Sequence, residues 1–167
     1  MKLCLPQHLV SSLAGLRECL ERWSTMQSST ETYIENAQHD LQSSNARPEL
    51  GCLDPSLGPE IRACYLESAE KMLRSLRVAI ETFDKVVDSL GVLEASAKES
   101  SDLYAVTLFG WIKDVRRMFA AETAHKRLIL SLLGSGLDDQ AIELHVSRWI
   151  EQPMINKSLI EKILKLS

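Results

Sequence analysis

Apolar positions recur along this chain at steps of three and four, the spacing that lines one face of an α-helix. From Gln7 to about Asn45 the seam runs Leu9, Leu13, Leu16, Leu20, Trp23, Gln27, Thr30, Ile34, Ala37 and Leu41, a strict 4-3 alternation. Two of its members, Gln27 and Thr30, are polar, and Ser28-Ser29 beside them has low helix propensity. A kink or frayed turn is therefore expected at 27–30. A second seam carries Leu66, Ala69, Leu73, Leu76, Ile80, Phe83, Val87, Leu90 and Ala97, in a helix predicted to begin near Pro59-Glu60 and to break between Ser96 and Ser101. A third carries Leu108, Ile112, Val115, Phe119, Ile129 and Leu133, with Lys113, Arg116, Arg117 and Lys126 largely off the stripe.

Punctuation falls between these tracts. Pro48, Pro55 and Pro59 lie within twelve residues, with Gly51 and Gly58 among them, so 46–59 reads as a flexible loop. Gly134-Ser135-Gly136 ends the third helix, because glycine accepts left-handed backbone angles after a C-terminus. Asp138-Asp139 suits the start of a fourth, predicted over Leu137 to Glu151 and closed by Pro153. A fifth is predicted over Ser158 to Leu166, with Asn156 or Lys157 near its cap. Glu70 with Arg74 and Arg77 with Glu81 are i,i+4 pairs expected on solvated faces. The predicted fold is all-α: one domain over 1–167, an elongated antiparallel bundle of three long helices with two short C-terminal helices.

Composition narrows the chemistry. With 45% hydrophobic and 25% charged residues the chain has an ordinary globular make-up. A net charge of −4 and 5% aromatic content speak against a nucleic-acid surface. Lys113, Arg116, Arg117, Lys126 and Arg127 form the one basic concentration, read as a solvated helix face or a site for an acidic partner. Cys4, Cys19, Cys52 and Cys64 contain no C-x-x-C pair, so reduced thiols are expected, with Cys19 and Cys64 as small buried groups. The opening residues are too short for a signal-peptide core and no apolar run would span a bilayer, which implies an intracellular protein.

Candidate catalytic groups do not assemble. Glu122-x-x-His125 and Glu143-x-His145 place carboxylates near imidazoles, but a metal site needs three or four converging ligands. Gly134-Ser135-Gly136 superficially resembles a nucleophile elbow, yet it follows a helix and not a strand. No phosphate loop or dinucleotide fingerprint is present, so no cofactor and no enzymatic activity are expected. Trp23 and Trp111 sit on helix faces and read as core residues. Trp149 has two readings, a partner-facing knob or an anchor for the fourth helix.

One stretch is distinctive. Met118-Phe119-x-x-Glu122-x-x-x-Lys126-Arg127, an acidic turn, and then Ser147-x-Trp149-Ile150-x-Gln152-Pro153 resemble the C-terminal third of the cyclin-dependent kinase 2-interacting protein family. Leu20-Glu21-Arg22-Trp23 with Tyr33-Ile34-x-Asn36-Ala37 resembles that family's first helix. The resemblance implies a non-enzymatic helical adaptor of the nucleus or cytoplasm, tied to DNA replication and checkpoint signalling. Implied partners are cyclin-dependent and replication-initiating kinases and the partner of a checkpoint kinase. It also implies membership, beside another small helical protein, of an AAA ATPase assembly acting in ribosome maturation and replisome proteostasis. A generic coiled-coil subunit is the alternative reading, since it explains the heptads equally well.

Overall fold

The structure, a computed structural model, describes residues 7–46, 57–97 and 103–165. Helix α1 spans Gln7–Asn45, α2 Leu57–Ala97, α3 Leu103–Leu133, α4 Asp139–Glu151 and α5 Lys157–Leu164. The described residues are all-α, a helical bundle with no strand. None of these helices is long and apolar enough to cross a membrane.

Several boundaries differ from the sequence pattern, each for a local reason. Helix α2 begins at Leu57, so Gly58 and Pro59 lie in its first turn. A proline is tolerated there because the first N–H groups of a helix lack intrahelical acceptors anyway. Residues 47–56 of the expected loop, and Pro6 and residues 98–102 around the second break, lie outside the described residues. No fray interrupts 27–30: α1 is helical throughout, and Gln27 and Thr30 are buried at 3% and 1% exposure. Helix α4 starts two residues later than the pattern suggests. Asp138 is its N-cap, with its carboxylate accepting from the Ala141 N–H at 2.8 Å. Gly136 turns the chain at φ +80°, the left-handed angle expected after α3. Asn156 caps α5, its side-chain oxygen accepting from the Leu159 N–H at 3.1 Å.

The chain divides into two compact units, each using parts of all three long helices. The first takes its described residues from 1–26, 82–123 and 153–167 and includes α5. Around Trp23 its core is apolar and aromatic. Trp23 stacks on Phe119 with ring centroids 3.8 Å apart and meets Phe83 edge-on at 4.5 Å. Leu16, Val86, Leu90, Ile112, Val115 and Ile163 are fully buried around it. At Gly15 an added Cβ would stand 2.9 Å from Leu93 Cδ2, so the Leu93 side chain of α2 packs directly over this glycine of α1. Arg116 and Glu94 form an ion pair at 2.6 Å across α3 and α2.

The second unit comprises 27–81 and 124–152 and includes α4. Ile34, Ala37, Ala69, Leu73, Leu76, Ile129, Leu133, Ile142, Val146 and Trp149 are buried in it. Glu70 pairs with Arg77 at 2.7 Å, seven residues on, in place of the expected i,i+4 partner. In α2 the seam shifts by one residue: Val86 is fully buried and Val87 only half-buried. Cys19 is buried as expected, and burial pushes its thiol pKa up despite Arg22 nearby. Cys64 is exposed, a correction to its expected burial; it lies on the outer side of α2, off the Leu66-Ala69-Leu73 stripe.

Candidate functional site

The residues singled out along α3 and α4 lead to a buried polar knot in the second unit, and its logic starts at Pro153. In an α-helix the carbonyl of residue i accepts from the N–H of residue i+4. For Trp149 that residue is Pro153, which has no N–H. The Trp149 carbonyl is thus orphaned by the sequence, and Trp149 itself is 0% exposed, so water cannot serve it.

Two side chains fill the vacancy. Lys126 of α3 donates from Nζ to the Trp149 carbonyl oxygen at 2.9 Å, and Gln27 of α1 donates from Nε2 to the same atom at 3.2 Å. The Lys126 ammonium also lies over the indole ring, 4.4 Å from its centroid. A desolvated cation–π contact of that kind contributes ~2 kcal/mol. On the opposite edge, Trp149 Nε1–H donates to Thr30 Oγ1 at 3.1 Å, and Thr30 in turn donates to the Gln27 carbonyl at 2.8 Å. The two polar interruptions of the α1 seam are therefore the groups that receive Trp149.

Lys126 was expected on a solvated basic face, and the structure corrects this: it is 0% exposed. A buried cation is costly unless it is fully bonded. Here a helix C-terminal carbonyl and an aromatic face both bring negative potential to it. Arg127, the next residue, is exposed, as are Lys113, Arg116 and Arg117.

Other members of the motif serve the first unit. Phe119 belongs to the aromatic trio. Glu122 is 0% exposed and accepts from the Met154 N–H at 3.1 Å, while the Met118 sulfur accepts from the Asn156 N–H at 3.2 Å. These contacts fix the turn between α4 and α5. Gln152 in that turn is the one non-glycine residue with positive φ, at 53°, among the described residues. Its backbone N–H bonds to the Arg148 carbonyl at 3.3 Å, which ends α4. Pro153 is exposed. Trp111 is half-buried, with Lys162 of α5 at 5.8 Å from its ring centroid.

Beside the knot, His145 of α4 is half-buried, and its pKa is lowered by burial first, then by Arg148 and by His125. Among the described residues no group of three or more His, Cys, Asp or Glu side chains is placed to hold a metal ion. The burial of Trp149 matches the anchoring role: its carbonyl and its indole N–H bond side chains of α1 and α3. Pattern reading missed the partnership of Lys126 with Gln27 and Thr30. The available signal was a proline four residues after a tryptophan, which obliges some donor elsewhere to reach that carbonyl.

The protein is thus a helical bundle with a Trp-centred polar knot buried in its second unit. No protein-family model, curated protein or solved structure matches the chain.

Proposed function

We propose that this protein is a non-enzymatic helical adaptor, related to the cyclin-dependent kinase 2-interacting protein family that its motif resembles. Its three long helices run in alternating directions, as an elongated antiparallel bundle, with α4 and α5 as short C-terminal additions. In the cell it works in the nucleus or cytoplasm as a subunit of an AAA ATPase assembly in ribosome maturation and replisome proteostasis. It links that assembly to DNA replication and checkpoint kinases. It does no chemistry and contacts neither nucleic acid nor membrane directly.

The observation that supports this reading best is the convergence of the motif. Lys126 and Trp149, two residues that carry the resemblance and lie 23 residues apart, bond to each other in a buried site. Residues that depend on one another physically are the ones a shared architecture would keep together. A generic self-associating coiled-coil subunit is less well supported. Leu16, Ile34, Leu76, Leu90, Ile112 and Phe119 are all 0% exposed within one chain, so the greater part of each seam is already covered.

Affinity purification of the tagged full chain with quantitative mass spectrometry tests the reading. AAA ATPases and a second small helical protein are expected to copurify at near-stoichiometric levels, and the purified chain is expected to sediment as a monomer. A concentration-dependent parallel dimer without an ATPase would favour the coiled-coil subunit instead.

A further inference from the structure

One end of the second unit leaves seam positions uncovered. Leu41 is the last apolar member of the α1 alternation and Leu66 the first of α2. Their seam neighbours Ala37 and Ala69 are 0% and 1% exposed, yet Leu41 is only half-buried and Leu66 is 42% exposed. Between these leucines opens a cavity of about 340 Å³, floored by Leu73, Leu133 and Ile142. That volume is at the lower end of the ~300–1,000 Å³ of small-ligand sites and suits one or two large side chains.

The rim gives the cavity a sign. Arg62 lines it, is exposed, and has no hydrogen-bonding or ionic partner among the described residues. Glu70 also lines it, but its carboxylate is already held by Arg77 at 2.7 Å. Asn45, the neutral polar group beside them, is committed to the α3–α4 turn through the Leu137 carbonyl and the Asp139 carboxylate, both at 3.0 Å. The unanswered group at the mouth is a guanidinium over an apolar floor.

We infer that this cavity docks a segment of a protein partner in which one large aliphatic or aromatic side chain is followed by a carboxylate. The side chain enters between Leu41 and Leu66, and the carboxylate bonds Arg62. The inference deepens the adaptor reading and rests on it for its meaning in the cell.

The test uses the purified full chain and two capped pentapeptides, acetyl-Gly-Leu-Asp-Asp-Gly-amide and its Lys-Lys counterpart, followed by ¹H–¹⁵N correlation spectra. Saturable shifts are expected at Leu66, Ala69, Leu133 and Ile142 with the acidic peptide, at an affinity about tenfold above the basic one, the size of one charge-assisted hydrogen bond. Arg62→Glu, a surface change that leaves the spectrum folded, should reverse that preference. Equal binding of both peptides, no binding by either, or indifference to Arg62→Glu would overturn the proposal. Shifts that emerge only after 47–56 is replaced by a Gly/Ser linker of equal length would also overturn it, by assigning the cavity to the chain's own connecting segment. A silent titration with the ATPase still copurifying removes this site alone; a positive titration with no ATPase removes the assembly and leaves the site.

Discussion

The two units bury the same three long helices by different means. In the first, Trp23, Phe83 and Phe119 meet as a ring cluster among aliphatic neighbours. In the second, the α1 seam presents Gln27 and Thr30 where the 4-3 alternation calls for apolar groups, and Trp149 of α4 arrives with a matching donor and acceptor. Apolar packing is tolerant of which hydrophobe fills a site, whereas a buried amide, hydroxyl and ammonium are satisfied by few arrangements. The aromatic cluster of the first unit therefore relies on area removed from water, whereas the placement of α4 in the second relies on geometry.

Substitutions can separate these two modes. The largest effect is expected from Trp23→Ala, which removes the ring shared by both aromatic contacts; urea unfolding should show a loss of about 3–5 kcal/mol. A loss below ~1 kcal/mol would mean the cluster collapses around the gap and is not the keystone of its unit. Next comes Thr30→Val, nearly isosteric, which strands the Trp149 Nε1–H in a dry site at a cost of ~1–3 kcal/mol. Near-UV circular dichroism of the tryptophans should change with it, and a silent substitution would show that the knot is not selective. Asp138→Ala removes the α4 cap and should cost ~1 kcal/mol. If amide exchange then rises throughout α4 and not only in its first turn, the knot and the cap hold the helix jointly.

The smallest effect concerns pH. Burial lowers the His145 pKa below the ordinary 6.5, so the unfolded chain binds more protons between the lowered value and about 7. Its contribution to stability is full above that window and is lost as the pH falls through it. His145→Asn should flatten the dependence of the urea midpoint on pH over this interval. An unchanged slope would show that the imidazole has no differential protonation.

The helices were legible because their seams are long and regular. Every apolar member of the α3 stripe, from Leu108 to Leu133, is buried where the period places it. Val86 replaced Val87 in α2 because both positions satisfy a 3-4 alternation between Phe83 and Leu90, and packing alone chooses between them. Polarity alone predicts an exposed Lys126, and that rule fails where a carbonyl lacks its helical donor. Gln27 and Thr30 looked like a weakness for a related reason: a periodicity shows where a side chain points and says nothing of a partner 119 residues away. The cavity beside Arg62 was invisible in the sequence, since Leu41 and Leu66 carry the same letters as any covered seam position.

Pro153 leaves a further mark on α4. Thirteen residues make a marginal helix in water even without a defect near the end, and near the end of this one stands a carbonyl answered from α1 and α3. A synthetic peptide of residues 138–153 should accordingly give a coil spectrum. A partner searching for that stretch on a nascent or clipped polypeptide would find no shape to grip until the remainder of the molecule had folded around it.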